Sequence, residues 1–158
     1  MIVFKFKKEI KGECTIKGFE GQLNATSLQF GVGRGVSSPS GGSGKREVSE
    51  PSISELVVTR NSDLASAELF FQACGGQTLE LATISILQVE SGEPKAFLII
   101  ELTDPLVTAY SASSGGESPS ESVSLNFTKI SYTYNSFDGK KVTSGTPKKW
   151  DLAKNATF

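Results

Sequence analysis

The 158-residue chain contains no histidine, two cysteines and a single tryptophan. Without histidine there is no usual general base, no serine or cysteine triad in the common form, and little prospect of a zinc site. Two cysteines, Cys14 and Cys74, are too few for a disulfide framework. Cys74 ends an apolar helical pattern and reads as a buried free thiol. No apolar run approaches the roughly 18 residues of a membrane span, so no membrane insertion is expected. The N-terminal MIVFKFKKEI puts its apolar patch ahead of its lysines. That order is the reverse of an export signal, so none is expected. No internal repeat of fixed period is present.

What the chain does contain fits one globular domain over residues 1–158, with 37% hydrophobic and 21% charged residues. The net charge of −1 conceals a pattern. Residues 1–17 carry +3, residues 18–138 carry −8, and the last 20 residues carry +4. Nucleic-acid binding would call for arginines and stacking aromatics interleaved in a recognisable module. The lysines here lack that setting, and no nucleic-acid partner is expected. Opposite charge in different parts of one chain suits self-association; lysines solvated near two termini are the plainer alternative.

The patterning is mostly that of strands. Ile2, Phe4 and Phe6 alternate, as do Leu28, Phe30 and Val32 within 21–34. A glycine- and serine-rich stretch follows, a long loop over about 34–50, far beyond a tight hairpin. Strand signals return over 53–59, 79–89, 96–102 and 106–110, and a last short strand carries Trp150 and Leu152. Asp138-Gly139 signals a turn. One helix is predicted over about 62–74, capped by Asn61 or Ser62 and stopped by Gly75-Gly76. Its stripe of Leu64, Ala67, Phe71 and Cys74, broadened by Phe70, reads as core packing. The expected fold is mainly β: antiparallel strands forming a β-barrel, with one α-helix.

Motifs for chemistry fail on inspection. SPSGGSGKRE lacks the first glycine and the hydroxyl of a phosphate-binding loop, having Pro39 and Arg46 at those places. GVGRG lacks dinucleotide-binding spacing. The sequons at Asn24, Asn126 and Asn155 read as chance matches. Glu101 and Asp104 could form an acid–base pair, but no nucleophile or metal ligand points to them. No catalytic residue, cofactor or metal is expected, and the reading is non-enzymatic.

ESVSLNFTKISYTY, residues 121–134, alternates but changes phase. Val123, Leu125 and Phe127 are odd, whereas Ile130, Tyr132 and Tyr134 are even. A β-bulge near Thr128-Lys129 could rotate the strand and keep one core. The alternative is a second apolar face covered by a neighbouring subunit. The run over 96–102, apolar on both faces, leans the same way.

Several segments together resemble one family. KGEC at 11–14, LQFGVG at 28–33, the loop ending at Gly44-Lys45, LFFQAC at 69–74 and the whole of 98–134 resemble the Hcp proteins, tube subunits of bacterial type VI secretion, and Trp150 also has a counterpart there. The chain departs from the family at Gly18-Phe19-Glu20 and CGGQTLE, where relatives carry histidine. The resemblance implies a phage tail-tube-like barrel assembled into hexameric rings that stack into a tube. It implies as partners other copies of the chain, a contractile sheath, a VgrG spike and effectors held in the ring lumen. It also implies cytoplasmic storage followed by delivery outside the cell without a signal peptide. Val36, Ser40, Lys45, Arg46 and Val48 of the long loop, with Ile130, Tyr132 and Tyr134, are the expected assembly residues. The tube of a phage or extracellular contractile particle, and a monomeric β-barrel binding module, are the alternatives.

Overall fold

A computed structural model of the protein describes residues 1–38, 46–90, 92–137 and 142–158. The first strand, β1 (Ile2–Phe6), is followed after a long covering segment by β2 (Leu23–Ala25) and β3 (Ser27–Gln29). Four two-residue strands come next: β4 (Val32–Gly33), β5 (Val36–Ser37), β6 (Glu47–Val48) and β7 (Ser52–Ile53). Then β8 (Leu56–Asn61) leads to the helix α1 (Ser66–Gly75). The second half holds β9 (Leu81–Glu90), β10 (Glu93–Thr103), β11 (Leu106–Ser113), β12 (Ser120–Asn126) and β13 (Lys129–Tyr134). Short strands β14 (Ser136–Phe137), β15 (Val142–Thr143) and β16 (Lys148–Asp151) end the chain.

The architecture is mainly antiparallel β with one helix, as the alternation implies. Six strands form one sheet in the order β16-β13-β10-β9-β1-β2, and four form another in the order β11-β12-β8-β3. The two sheets meet at one side through Thr26, whose amide (2.7 Å) and hydroxyl (3.0 Å) both donate to the Thr59 carbonyl. Elsewhere the chain turns a corner at Asp104, which holds φ 50°. Its carboxylate accepts the Thr128 hydroxyl at 3.2 Å, and the Thr128 amide donates to the Thr103 carbonyl at 3.0 Å. Aspartate tolerates this left-handed conformation through local hydrogen bonding. Asp104 therefore serves the corner. Among the described residues the ladders make these two principal sheets and three two-stranded ones, β14-β15, β4-β7 and β5-β6, and not one closed ring.

The phase change has a topological cause. Residues 121–134 are not one strand: β12 lies in the four-stranded sheet and β13 in the six-stranded one. The chain crosses between sheets at 127–128, so no bulge is needed there. Odd residues of β12 (Val123, Leu125), joined by Phe127, face the core from one side, and Ile130 of β13 faces it from the other. The side-chain period of two makes such a switch unavoidable when the inward direction reverses. Bulges occur elsewhere, between Ala96 and Leu98 and between Val107 and Ala109.

The run over 96–102 uses both faces partly within the chain. Leu98, Ile100 and Leu102 look inward, in register with Ile86, Ile84 and Ala82. On the outer face a small second cluster joins Val3, Cys14 and Leu87, with Ile16, Phe19 and Ala96 packed on it. Cys14 is therefore the buried thiol. Gly12 permits this covering segment to lie down, because a Cβ there would collide with the backbone of Gln22 and Leu23.

The helix is where the expectation and the structure part most. It starts later than expected: its N-cap is Ala65, with no side-chain cap, and not Asn61 or Ser62. Instead the Asp63 carboxylate accepts from the Ala65 amide at 2.8 Å, and the Ser66 hydroxyl accepts from the Asp63 amide at 2.9 Å. Gly76, at φ 62°, ends the helix by donating to the Gln72 carbonyl. The buried face is Ala65, Leu69 and Gln72, with Ala73 half-buried. Leu64, Phe70 and Phe71 are 72%, 56% and 62% exposed, and Cys74 is exposed as well. The stripe expected to be core thus points outward. At 100° per residue, residues 64, 67, 71 and 74 lie opposite 65, 69 and 72. Two stripes compete on one short helix, and the less apolar one is buried.

Candidate functional site

No cluster of three or more metal-ligating residues occurs among the described residues, and no helix there is long and apolar enough to cross a membrane. The features that stand out are surfaces. Three of them carry large apolar side chains that the chain leaves uncovered.

The first is an arm. The stretch expected to be a long loop is, where described, a two-stranded ribbon. β4 pairs with β7 (Val32 opposite Ile53), and β5 pairs with β6 (Val36 opposite Val48). Serine hydroxyls knit it where the ladder is interrupted: Ser54 accepts from the Gly31 amide at 2.8 Å and Ser49 from the Gly35 amide at 2.7 Å. Val32, Val36 and Val48 are 65%, 56% and 48% exposed. Arg46 is exposed at the outer end, while Ser40 and Lys45, and the Asp138-Gly139 turn, lie outside the described residues. Of the five arm residues expected at assembly contacts, Val36 and Val48 stand opposite each other in register and Arg46 stands nearby.

The second is a cleft between the base of that arm and the edge of the six-stranded sheet. It encloses about 610 Å³ and is lined by Phe30, Val32 and Ile53 on one side and Tyr132 and Trp150 on the other. Phe30 and Tyr132 meet at 6.2 Å between ring centroids. The rim is basic, with Arg34, Lys148 and Lys149. Ile130, opposite Trp150 in register, is only 8% exposed. It forms the floor of the cleft and belongs to the chain's own core, so little of its surface is open. Tyr132 and Tyr134 continue the same inward-facing row, but at 39% and 58% exposure. Tyr134 stacks edge-on with Phe97 at 6.2 Å. The row begins under the opposite sheet and runs out past its end.

Asp151 anchors the cleft's outer strand. It accepts from the Lys154 amide at 3.0 Å and lies 3.5 Å from Lys129 Nζ. The Lys154 amide first, and then the Lys129 charge, hold its carboxyl below the usual carboxylate range against the cost of burial.

The third is the outward face of α1, described above. Phe70 packs edge-on against Tyr110 at 6.0 Å, which leaves Leu64 and Phe71 the freest of its large side chains.

Behind this helix lies a group that sequence reasoning missed. Arg60 is fully buried and pairs with Asp63 and, at 3.7 Å, with Glu121. Glu121 also accepts from Ser62 at 2.5 Å and from the Tyr110 hydroxyl at 2.9 Å. Burial, and then that hydrogen bond, raise the Tyr110 phenol above its ordinary value. Arg60 and Glu121 stand opposite each other in register and extend the inward rows Leu56-Val58 and Leu125-Val123. That shared parity was the available signal. The charges plug one end of the core, and removing one partner of such a pair is far costlier than the pair's net worth.

The sequence matches the family described as "Type VI secretion system effector, Hcp" over residues 4–134. The chain belongs to the Hcp family. Its fold agrees with solved structures along nearly its whole length. A type six secretion system protein is similar at 25% identity and TM-score 0.90, covering 99% of this chain and 98% of that one. Hcp1 from Salmonella typhimurium is similar at 21% identity and TM-score 0.76, covering 99% and 97%. A type VI secretion system effector from Yersinia pestis is similar at 17% identity and TM-score 0.74, covering 96% and 99%. No curated protein matches the chain. Family membership makes this a type VI secretion tube protein, a secreted and structural class.

Proposed function

We propose that residues 1–158 form one tube domain that assembles with copies of itself into hexameric rings. These rings stack into the inner tube of the secretion machine. The tube is held in the bacterial cytoplasm, driven outward by contraction of a surrounding sheath, tipped by a VgrG spike, and can carry effectors in the ring lumen. The work is structural and not enzymatic. One observation carries this reading within the family: the chain leaves large side chains uncovered on three separate surfaces, namely Val36 and Val48 on the arm, Val32 and Tyr132 at the cleft, and Leu64 and Phe71 on the helix. Extended apolar patches on a soluble chain mark interaction surfaces. Negative-stain microscopy of the purified protein is expected to display rings, and particles of single-chain size alone would refute the reading.

The arm is assigned to the contact between rings, its length and exposed valines supporting that place. Deleting residues 36–48 is expected to leave folded monomers or single rings without tubes; unchanged tubes would remove the arm from stacking. The basic terminal segments are assigned to the acidic middle of a copy in the next ring. Exposed charges are screened beyond about 8 Å at physiological ionic strength, so stacking should weaken as salt rises. Stacks indifferent to salt would remove the electrostatic part.

A further inference from the structure

Two of the uncovered surfaces, a helix face and a cleft, are both apolar and carry opposite charge. The outward face of α1 is convex, led by Phe71 and Leu64, and the segment 62–76 has Asp63 and Glu68 but no lysine or arginine. Asp63 is engaged by Arg60, which leaves Glu68 as the exposed charge of the helix. The cleft is concave and apolar, with a volume suited to large side chains, and its rim carries Arg34, Lys148 and Lys149. No helix residue lines the cleft, so the two surfaces are separate on the molecule. A chain that bears both a knob and the pocket that fits it makes a head-to-tail contact with its own copies. Such a contact closes into a ring or runs on as a filament.

We propose that the outward face of α1 of one copy seats in the cleft of the next, with Phe71 and Leu64 entering between Val32 and Tyr132. Glu68 then lies toward the basic rim. This rests on the self-assembly reading above and names the surfaces that carry it. The acid-free, lysine-lined cleft and the base-free helix also disfavour the other symmetric option. Helix against helix would bring Glu68 near its own copy, and cleft against cleft would face six basic side chains with each other.

Cross-linking tests the placement. Cys74 is exposed at the end of α1, whereas Cys14 is buried, so the wild-type chain offers one reactive thiol. Lys148→Cys adds a second on the cleft rim. A short bismaleimide applied to assembled Lys148→Cys protein should give a ladder of covalent multimers on denaturing gels, and Cys74→Ser in that background should abolish it. Assembled protein that yields no ladder, or only the Cys74–Cys74 dimers that wild type also gives, would overturn the proposal while leaving ring formation intact. Wild-type protein that never assembles would sink the self-assembly reading and this one together.

Mixing tests its polarity. Phe71→Asp spoils the knob and keeps the cleft; Val32→Asp spoils the cleft and keeps the knob. Each alone should raise the concentration needed for assembly by roughly thirtyfold, the loss typical of a central aromatic anchor. Mixed together they retain one intact knob and one intact cleft, and should form dimers and nothing larger. A mixture that stays monomeric, or single variants that assemble as wild type does, would contradict the proposal.

Discussion

The core of this protein ends in two different ways. At one end the inward rows of β8 and β12 finish in Arg60 and Glu121, both buried, with Asp63, Ser62 and Tyr110 supplying partners. At the other end the inward row of β13 finishes in Tyr132 and Tyr134, which emerge into a cleft and solvent. The first end is completed within the chain, by charge pairing. The second is left apolar and uncovered, which is what a surface waiting for another molecule looks like in physical terms. The same contrast appears in miniature on α1, where Leu69 is buried and Phe71 exposed.

Substitutions can widen or erase that contrast. Arg60→Met should have the largest effect, costing about 3–5 kcal/mol because the Glu121 and Asp63 carboxylates lose the buried cation that neutralises them. Urea unfolding measures it, and a loss under about 1 kcal/mol would mean that this end is not held by charge. Leu69→Ala should cost about 2–5 kcal/mol by opening the core. Phe71→Ser, two positions on, should stay within about 0.5 kcal/mol as a surface change and show up only in assembly. Equal losses for the two would erase the distinction between the helix faces.

At the open end, Gly145→Ala should cost about 1–3 kcal/mol, since its Cβ would meet the Tyr134 carbonyl and force β13 or its neighbour to shift. Tyr132→Ser, by contrast, removes a half-exposed ring and should lower stability less than Gly145→Ala does in the same urea titration. Asp151→Asn should have the smallest effect, a loss present at neutral pH that fades in acid. The folded carboxyl titrates below its ordinary range. Between the folded and unfolded values the unfolded chain binds more protons, so stability rises with pH there and is lost as pH falls through the folded value. The wild type should therefore lose stability on acidification more steeply than the variant, and parallel curves would remove Asp151 from the account.

Much of the fold was legible because strands announce themselves by alternation. Ile2-Phe4-Phe6, the 79–89 and 106–110 segments, and the helix stopped by Gly75-Gly76 are all read from local pattern, and local pattern decides them. What pattern cannot supply is direction. The stripe of Leu64, Ala67, Phe71 and Cys74 has the right spacing for a buried helix face, yet Leu69 and Gln72 are the residues inside. An apolar stripe says that something covers it, not that its own chain does. The break within 121–134 was visible as a parity switch. It could not be read as a sheet crossing, because the partners of each half, β8 for one and β10 for the other, are distant in sequence. Arg60 and Glu121 were hidden by the habit of treating charged residues as surface, although their parity matched the core rows on either side.

Of the residues expected at assembly contacts, Val36, Val48, Tyr132 and Tyr134 are exposed, and Ile130 is largely buried. The cleft was beyond the sequence altogether. It is built from Phe30 and Val32 on the arm and Trp150 near the end of the chain, more than a hundred residues away.

The central claim is that sister molecules cover what this chain leaves bare, and sedimentation velocity over a dilution series tests it most directly. Wild-type protein should sediment as multi-chain species that shrink as it is diluted, and Phe71→Asp should shift that transition to higher concentration. A particle of one chain at every concentration, with the variant indistinguishable from wild type, would contradict the account.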